Sequence, residues 1–195
     1  ILMHQIYLTE WIILGSKNFR ESDKYYYIFT RDLGMIYASA TGVRKMSSKL
    51  RFILQDFAYL KLDIVQGKSI FRVTSASKTN TLENLTKNRE RYRIVSNIAK
   101  LLKRLLAGVE VNENLFEDIK AGLSLIEKTN TKEELANLEI VIVLKMLNNL
   151  GYIGDREGLK ELLMSPFEEG VLLKASLNRR NILNHINQAL KETQL

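Results

Sequence analysis

The hydrophobic period of this chain changes once along its length, and that change sets the fold class. Up to about residue 78 the apolar residues come in short runs rich in β-branched and aromatic side chains, broken by turn signals. Beyond about residue 90 they recur at three- and four-residue spacing, the pattern of amphipathic helices. Residues 5–14, 24–30, 35–41, 57–65 and 70–77 read as five strands, with turns at Asp32-Leu33-Gly34 and Gln66-Gly67-Lys68-Ser69. Five short strands so joined predict a small, partly open barrel or sandwich.

In the second half, Ile94, Val95, Ile98, Leu101, Leu102, Leu105 and Leu106 lay one apolar stripe along a helix over 92–106, with Gly108 as its stop. A second helix is expected over 113–127 behind Asn112. A third opens at Thr131, where Glu134 three residues on completes a capping box. It carries Leu135, Leu138, Val141, Ile142, Leu147 and Leu150 and ends at Gly151, a C-cap residue. Its centre is apolar on nearly every side, so it is expected at the core of a bundle. Asp155 is the expected cap of a shorter helix that stops before Ser165-Pro166, and Ser176 the expected start of the last one. The fold class is α+β: a five-stranded barrel over 1–80, then an all-helical domain over 81–195. The boundary falls in the polar stretch Lys78-Thr79-Asn80-Thr81.

Charge separates the halves as well. The net charge is +7, and +6 of it lies in residues 1–80. Within that part, Gly42-Val43-Arg44-Lys45-Met46-Ser47-Ser48-Lys49-Leu50-Arg51 holds four cations and no acid, between two strands. A loop of that kind presents several charges and small polar donors to one partner, and phosphate backbones are the commonest partner for such a surface. The plain alternative is a solvated loop, which charge runs usually are. Lys87, Arg89, Arg91 and Arg93 open the first helix with only Glu90 against them. They either extend a nucleic-acid track or form a solvent face.

Other chemistry has little material. There are no cysteines and only two histidines, His4 and His185, at opposite ends of the chain. Cysteine-based zinc sites and disulfides are therefore excluded, no cofactor is expected, and the chain should fold and act without metal. Gly67-Lys68-Ser69 lacks the glycine five residues earlier that a phosphate-binding loop needs, since Leu62 stands there. Glu21 and Asp23, beside Arg20 and Lys24, read as capping or ion-pairing residues. An enzyme is not expected. No apolar run approaches the ~18 residues of a membrane span, and the N-terminus lacks a secretory pattern, so a cytoplasmic protein with no membrane partner is expected.

An ordered set of short motifs carries a family resemblance. Thr9-Glu10 precedes a strand, Glu21-Ser22-Asp23-Lys24 enters the next, and Phe29-Thr30-Arg31-Asp32-Leu33-Gly34 forms a turn. Gly42-Val43-Arg44-Lys45 and Ser48-Lys49-Leu50 follow. In order and spacing this resembles the bacterial recombination mediator family RecO over about the first 75 residues. Glu139 with Leu144, Leu147 and Leu150-Gly151-Tyr152 is similar to the family's central helix. Two departures stand out: Asp56 occupies a turn position where the family usually has proline, and the four-cysteine zinc motif of many members has no counterpart.

The resemblance implies an oligonucleotide-binding (OB) barrel followed by a helical domain. It also implies binding to single- and double-stranded DNA, strand annealing, contact with the C-terminal tail of single-strand binding protein (SSB) and with RecR, and help in loading RecA at gaps. Lys24, Arg31, Arg44, Lys45, Lys49, Arg51, Arg72, Lys87, Arg89, Arg91 and Arg93 form the candidate DNA-binding set. Tyr27 joins it as a stacking residue, because the resemblance places apolar residues at Tyr26 and Ile28 and a small polar one at Tyr27. Lys100, Lys103, Lys174, Arg179 and Arg180 are the cations available to rim an apolar pocket for an acidic, aromatic tail. Two other classes stay open at this point: an OB-fold RNA binder, and an adaptor whose basic loop does little.

Overall fold

In the computed structural model, residues 6–79, 82–106, 110–154 and 157–192 are described. Five strands, β1 (Ile6–Phe19), β2 (Asp23–Thr30), β3 (Gly34–Ala40), β4 (Tyr59–Gln66) and β5 (Phe71–Lys78), close into a barrel in the order β1-β2-β3-β5-β4. Antiparallel pairing of β4 with β1 completes the ring, and a short parallel pairing joins β3 to β5. This is the OB-type barrel read from the sequence, closed where a partly open one was expected. The two-residue alternation of each strand sends Trp11, Ile13, Tyr26, Ile28, Ile36, Ala38, Leu62 and Ile64 inward. Burying each of the large side chains among these contributes about 1.5–3 kcal/mol before chain entropy is counted.

Two strand ends differ from the sequence expectation. β1 runs on past Leu14 to Phe19, because Gly15, at φ +147, absorbs a bulge between Ile13 and Gly15 and the pairing with β2 resumes beyond it. β4 starts at Tyr59 and not at residue 57. Phe57 has φ +67 and is not extended, although its N–H still donates to the Ile13 carbonyl at 2.8 Å.

The outer face of the barrel is also partly covered. Ile12, Leu14, Phe29 and Met35 alternate away from the core, yet all are buried. Residues 1–86 and 99–113 cluster as one compact unit, and residues 87–98 with 114–195 as another. Within the first unit, residues 99–106 and 110–113 lie along this face. Lys103 Nζ sits 3.2 Å from where a Gly15 Cβ would project, and Glu113 pairs with Arg31 at 2.6 Å.

The helices are α1 (Arg89–Leu105), α2 (Glu113–Lys128), α3 (Lys132–Asn149), α4 (Lys160–Met164) and α5 (Glu169–Glu192). α1 begins three residues before the expected start at 92, because Asn88 Oδ1 accepts the N–H groups of Glu90 and Arg91 at 2.9 and 3.1 Å. Gly108, its expected stop, lies outside the described residues, as do Asn80 and Thr81 of the expected boundary stretch. Thr131 caps α3 by accepting the Glu134 N–H at 3.3 Å, while its own hydroxyl donates to the Glu134 carboxylate at 2.6 Å. At the other end Gly151, at φ +78, donates to Asn148 O, and Tyr152 N–H reaches back to Leu147 O. That double closure is a Schellman motif, and it needs the left-handed residue that glycine supplies. α3 is buried on nearly every side, as its composition predicts.

Two helix starts need correction. Asp155 lies outside the described residues, and α4 begins only at Lys160, behind Leu159. α5 starts at Glu169, so Ser176 lies within the helix and does not open it. Val171 and Ala175 are buried in line with Ile182, Ile186 and Ala189, so the apolar stripe reaches back past Ser176, the helix starts seven residues earlier than expected, and the serine signal is outweighed. Lys145 of α3 is 4% exposed. Its ammonium donates to Ser165 O at 2.6 Å, lies 3.6 Å from Asp118 Oδ1, and faces the Phe167 ring.

Candidate nucleic-acid interface

The basic loop between β3 and β4 is held by its backbone, its apolar residues and the Arg44 guanidinium, which leaves its charges without carboxylate partners among the described residues. Val43 and Leu54 are buried in the barrel core, with Leu50 and Ile53 packed partly against it. Asp23 is 9% exposed, and its carboxylate accepts the Gly42 N–H at 2.7 Å. Asp23 thus ties the loop backbone to the start of β2 and caps no helix. The Arg44 N–H donates to Ser22 O at 2.9 Å, and its guanidinium donates to the Glu21 and Arg20 carbonyls at 3.0 and 3.3 Å. A 3₁₀ turn, Lys49–Phe52, closes the loop. Arg44, Lys45, Lys49 and Arg51 are all exposed or half-exposed, and none is ion-paired with a carboxylate among the described residues. Arg51 donates to Met46 Sδ at 2.7 Å.

A cleft of about 440 Å³ opens between this loop and the β1–β2 hairpin, lined by Asn18, Lys24, Tyr26, Arg44, Arg51 and Gln55. Burial, helped by the Asp56 charge, raises the Tyr26 hydroxyl above its ordinary pKa, so it stays a neutral hydrogen-bonding group at the cleft wall. Three cations around one concavity focus a positive potential that attracts phosphates. The two amides add donors and acceptors. Lys24 is thus brought together with the loop. Asn18 and Gln55 were missed in the sequence, since nothing local marks an amide as lining a cleft.

The remaining candidates divide. Arg31 is engaged: its guanidinium donates twice to Glu113 Oε1, at 2.6 and 2.9 Å, and lies 3.9 Å from Glu10. Arg72 is exposed on β5, opposite Ser39 of β3. Tyr27 is half-buried on the outer face. Its ring meets Tyr37 edge-on at 4.9 Å and has the ammonium groups of Lys17 and Lys103 5.5 and 5.2 Å from its centre. The Tyr27 hydroxyl in turn raises the Lys17 pKa. Lys17 and Arg20 were not among the sequence candidates.

In the helical unit, Lys87 and Arg89 are exposed. Arg91 is spent on structure: its guanidinium donates to Thr129 O at 3.0 and 3.2 Å and to Asn130 Oδ1 at 2.8 Å, closing the C-terminus of α2. Arg93 pairs with Glu90 at 2.7 Å and Glu139 at 3.3 Å. The Glu90 hydrogen bond raises the Arg93 pKa, and Arg93 lowers that of Glu90.

The five cations considered for a partner tail are divided between the two units. Lys100 and Lys103 fall in the barrel unit, and Lys174, Arg179 and Arg180 in the helical unit. Lys174 pairs with Glu161 at 2.7 Å. Arg179 donates to Asn137 Oδ1 at 2.6 Å, on the wall of a cleft of about 640 Å³ that Leu125, Lys128, Leu172 and Leu173 also line. Among the described residues, no group of three or more His, Cys, Asp or Glu is placed to hold a metal ion, and no helix is long and apolar enough to cross a membrane.

Comparison with known proteins bears on the whole arrangement. Residues 3–82 match the model of the recombination protein O N-terminal domain, and residues 86–155 match that of its C-terminal domain. The chain belongs to the RecO family. Curated relatives include the DNA repair protein RecO of Caldanaerobacter subterraneus subsp. tengcongensis. It is 27% identical over 145 residues, covering 74% of this chain and 58% of the relative. RecO of Desulfitobacterium hafniense is 28% identical over 178 residues, covering 87% and 64%. RecO of Heliobacterium modesticaldum is 31% identical over 101 residues, covering 52% and 37%. The chain therefore spans about three fifths of the length of the first two RecO relatives.

Proposed function

We propose that this chain binds DNA through its barrel and acts as a recombination mediator in DNA repair. It would anneal complementary single strands and, with RecR, help load RecA onto gaps coated by SSB. One observation supports this most: four cations without carboxylate partners among the described residues stand on a loop whose backbone is pinned beside a basic cleft. Lys and Arg presented this way hold phosphates and do not read base edges, so binding would be sequence-tolerant. Lys24, Arg44, Lys45, Lys49 and Arg51 form the primary phosphate-binding set, with Arg72 as a further candidate in the barrel unit and Lys87 and Arg89 as separate candidates in the helical unit. We place the activity in the cytoplasm, without catalysis of its own. The helical unit would receive the SSB tail at the cleft of Leu125, Leu172 and Leu173, with Lys128 and Arg179 beside it.

A strand-annealing assay with complementary oligonucleotides tests the reading. Annealing well above the spontaneous rate, suppressed by salt, is the expected result. An RNA binder would prefer a matched RNA oligonucleotide, and an adaptor would bind neither nucleic acid while still holding the tail peptide.

A further inference from the structure

The outer face of β1, β2 and β3 carries an aromatic strip that phosphate binding at the loop leaves unexplained. Tyr25 and Tyr27 share this face of β2, and in register they oppose Lys17 and Gly15 on one side and Ser39 and Tyr37 on the other. Phe19 leans on Tyr25, with ring centres 4.1 Å apart and planes tilted by 31°. Tyr37, edge-on to Tyr27, is 50% exposed. Three cations edge the strip. The Arg20 guanidinium lies 5.0 Å from the centre of the Phe19 ring, and Lys17 and Lys103 flank Tyr27. None of the three is ion-paired among the described residues. Gly15 makes this possible, since a side chain there would displace the Lys103 ammonium. At the hairpin end the strip and the basic cleft occupy opposite faces of the same two strands, with Asn18, Lys24 and Tyr26 turned to the cleft and Phe19 and Tyr25 to the strip.

We infer that this strip seats unpaired bases of a single strand, one on the Phe19–Tyr25 pair and one on Tyr37, with Lys17, Arg20 and Lys103 on the intervening phosphates. The inference rests on the DNA-binding reading and refines it toward one strand form. Aromatic platforms beside cations are how sequence-tolerant single-strand binders hold bases, because every base offers a π-face. Spacing selects the form. Tyr25 and Tyr37 are diagonal cross-strand neighbours, about 7–8 Å apart, whereas bases in a duplex rise about 3.4 Å per step. Successive bases reach both seats only when unstacked, which an unpaired strand does freely and a duplex does not. The loop cations, by contrast, serve either form.

The test uses the full chain with three fluorescent probes: an oligothymidylate, a blunt duplex of equal length, and a strand whose central residues are abasic. The variant is Tyr25→Leu/Tyr37→Leu, which keeps apolar bulk and removes the rings. Its affinity for oligothymidylate should fall about tenfold for each seat removed, with duplex affinity unchanged within about twofold. The abasic strand should bind wild type weakly and the variant no worse. Equal losses on strand and duplex, or no loss on the strand, would overturn the inference while leaving phosphate binding by the loop intact. Failure of the wild type to bind any probe would instead remove the DNA-binding reading beneath it. Tyr37→Leu alone, at a half-exposed ring, keeps the test available if the double variant melts early.

Discussion

The barrel and the helical unit both hold clustered cations, and they use them in opposite ways. In the barrel loop, Asp23 and the hairpin carbonyls bind backbone groups and one guanidinium, leaving Lys45, Lys49 and Arg51 without a carboxylate partner among the described residues. In the helical unit, Arg91 closes a helix end, Arg93 joins two glutamates, Lys145 is buried against a carbonyl and a carboxylate, and Lys174 bridges to Glu161. Net charge alone would not separate these cases. What matters is whether the donors are already satisfied within the fold, because a cation with satisfied donors has little left for a phosphate.

The contrast can be broken from the helical side. Lys145→Ala removes a buried ammonium and leaves Asp118 and Ser165 O without it, so unfolding should cost about 3 kcal/mol less, read as a large fall in Tm. DNA affinity at a temperature where the variant is folded should not change. A weaker version of the same outcome is expected at Arg91→Ala. Losing charged hydrogen bonds to Thr129 O and Asn130 lowers stability by about 1–2 kcal/mol in urea titration, with at most a twofold change in DNA binding. A large loss of DNA affinity in the folded Arg91 variant would return that residue to the phosphate track.

The smallest effect sharpens the comparison through pH. Arg93 holds the Glu90 carboxyl below its ordinary value. A group depressed in the folded state adds stability above its unfolded pKa, about 4.3 for glutamate, and loses it as pH falls through the lower folded value. NMR titration should show Glu90 protonating below the other exposed glutamates. Glu90→Gln should flatten the acid limb of the stability curve slightly. An ordinary Glu90 titration would mean that the Arg93 pair is loose and that its charge is available to other partners.

What was legible in the sequence follows the range of the interactions. Local signals were readable: the strand alternation around Tyr26 and Ile28, the Thr131–Glu134 cap, the Gly151 stop and the acid-free loop. Ser176 misled, because a serine favours a helix start only when nothing better lies upstream, and Val171 and Ala175 do. The bulge at Gly15 hid the last five residues of β1. The bonds of Arg91 to Thr129 and of Arg93 to Glu139 were beyond reach, since those partners lie 38 and 46 residues away; only the Arg93–Glu90 pair is local. The same holds for Lys103 at Gly15. In the sequence it is one more helix-face cation, and only the fold brings it to the barrel wall.

The salt dependence of single-strand binding tests the central claim most directly. For a single strand, each phosphate interaction removed should flatten the slope of log K against log salt by roughly 0.7. Replacing Arg44, Lys45, Lys49 and Arg51 together by alanine should lower the slope by about two to three units. Affinity should weaken at least about tenfold at moderate salt, with only a small fall in Tm, traceable to the Arg44 carbonyl bonds. The matched control, with Lys120, Lys128 and Lys132 replaced, should keep slope and affinity close to wild type. If the control variant binds with a flattened slope and the loop variant keeps the wild-type slope, the binding surface belongs to the helical unit and the loop only solvates the barrel.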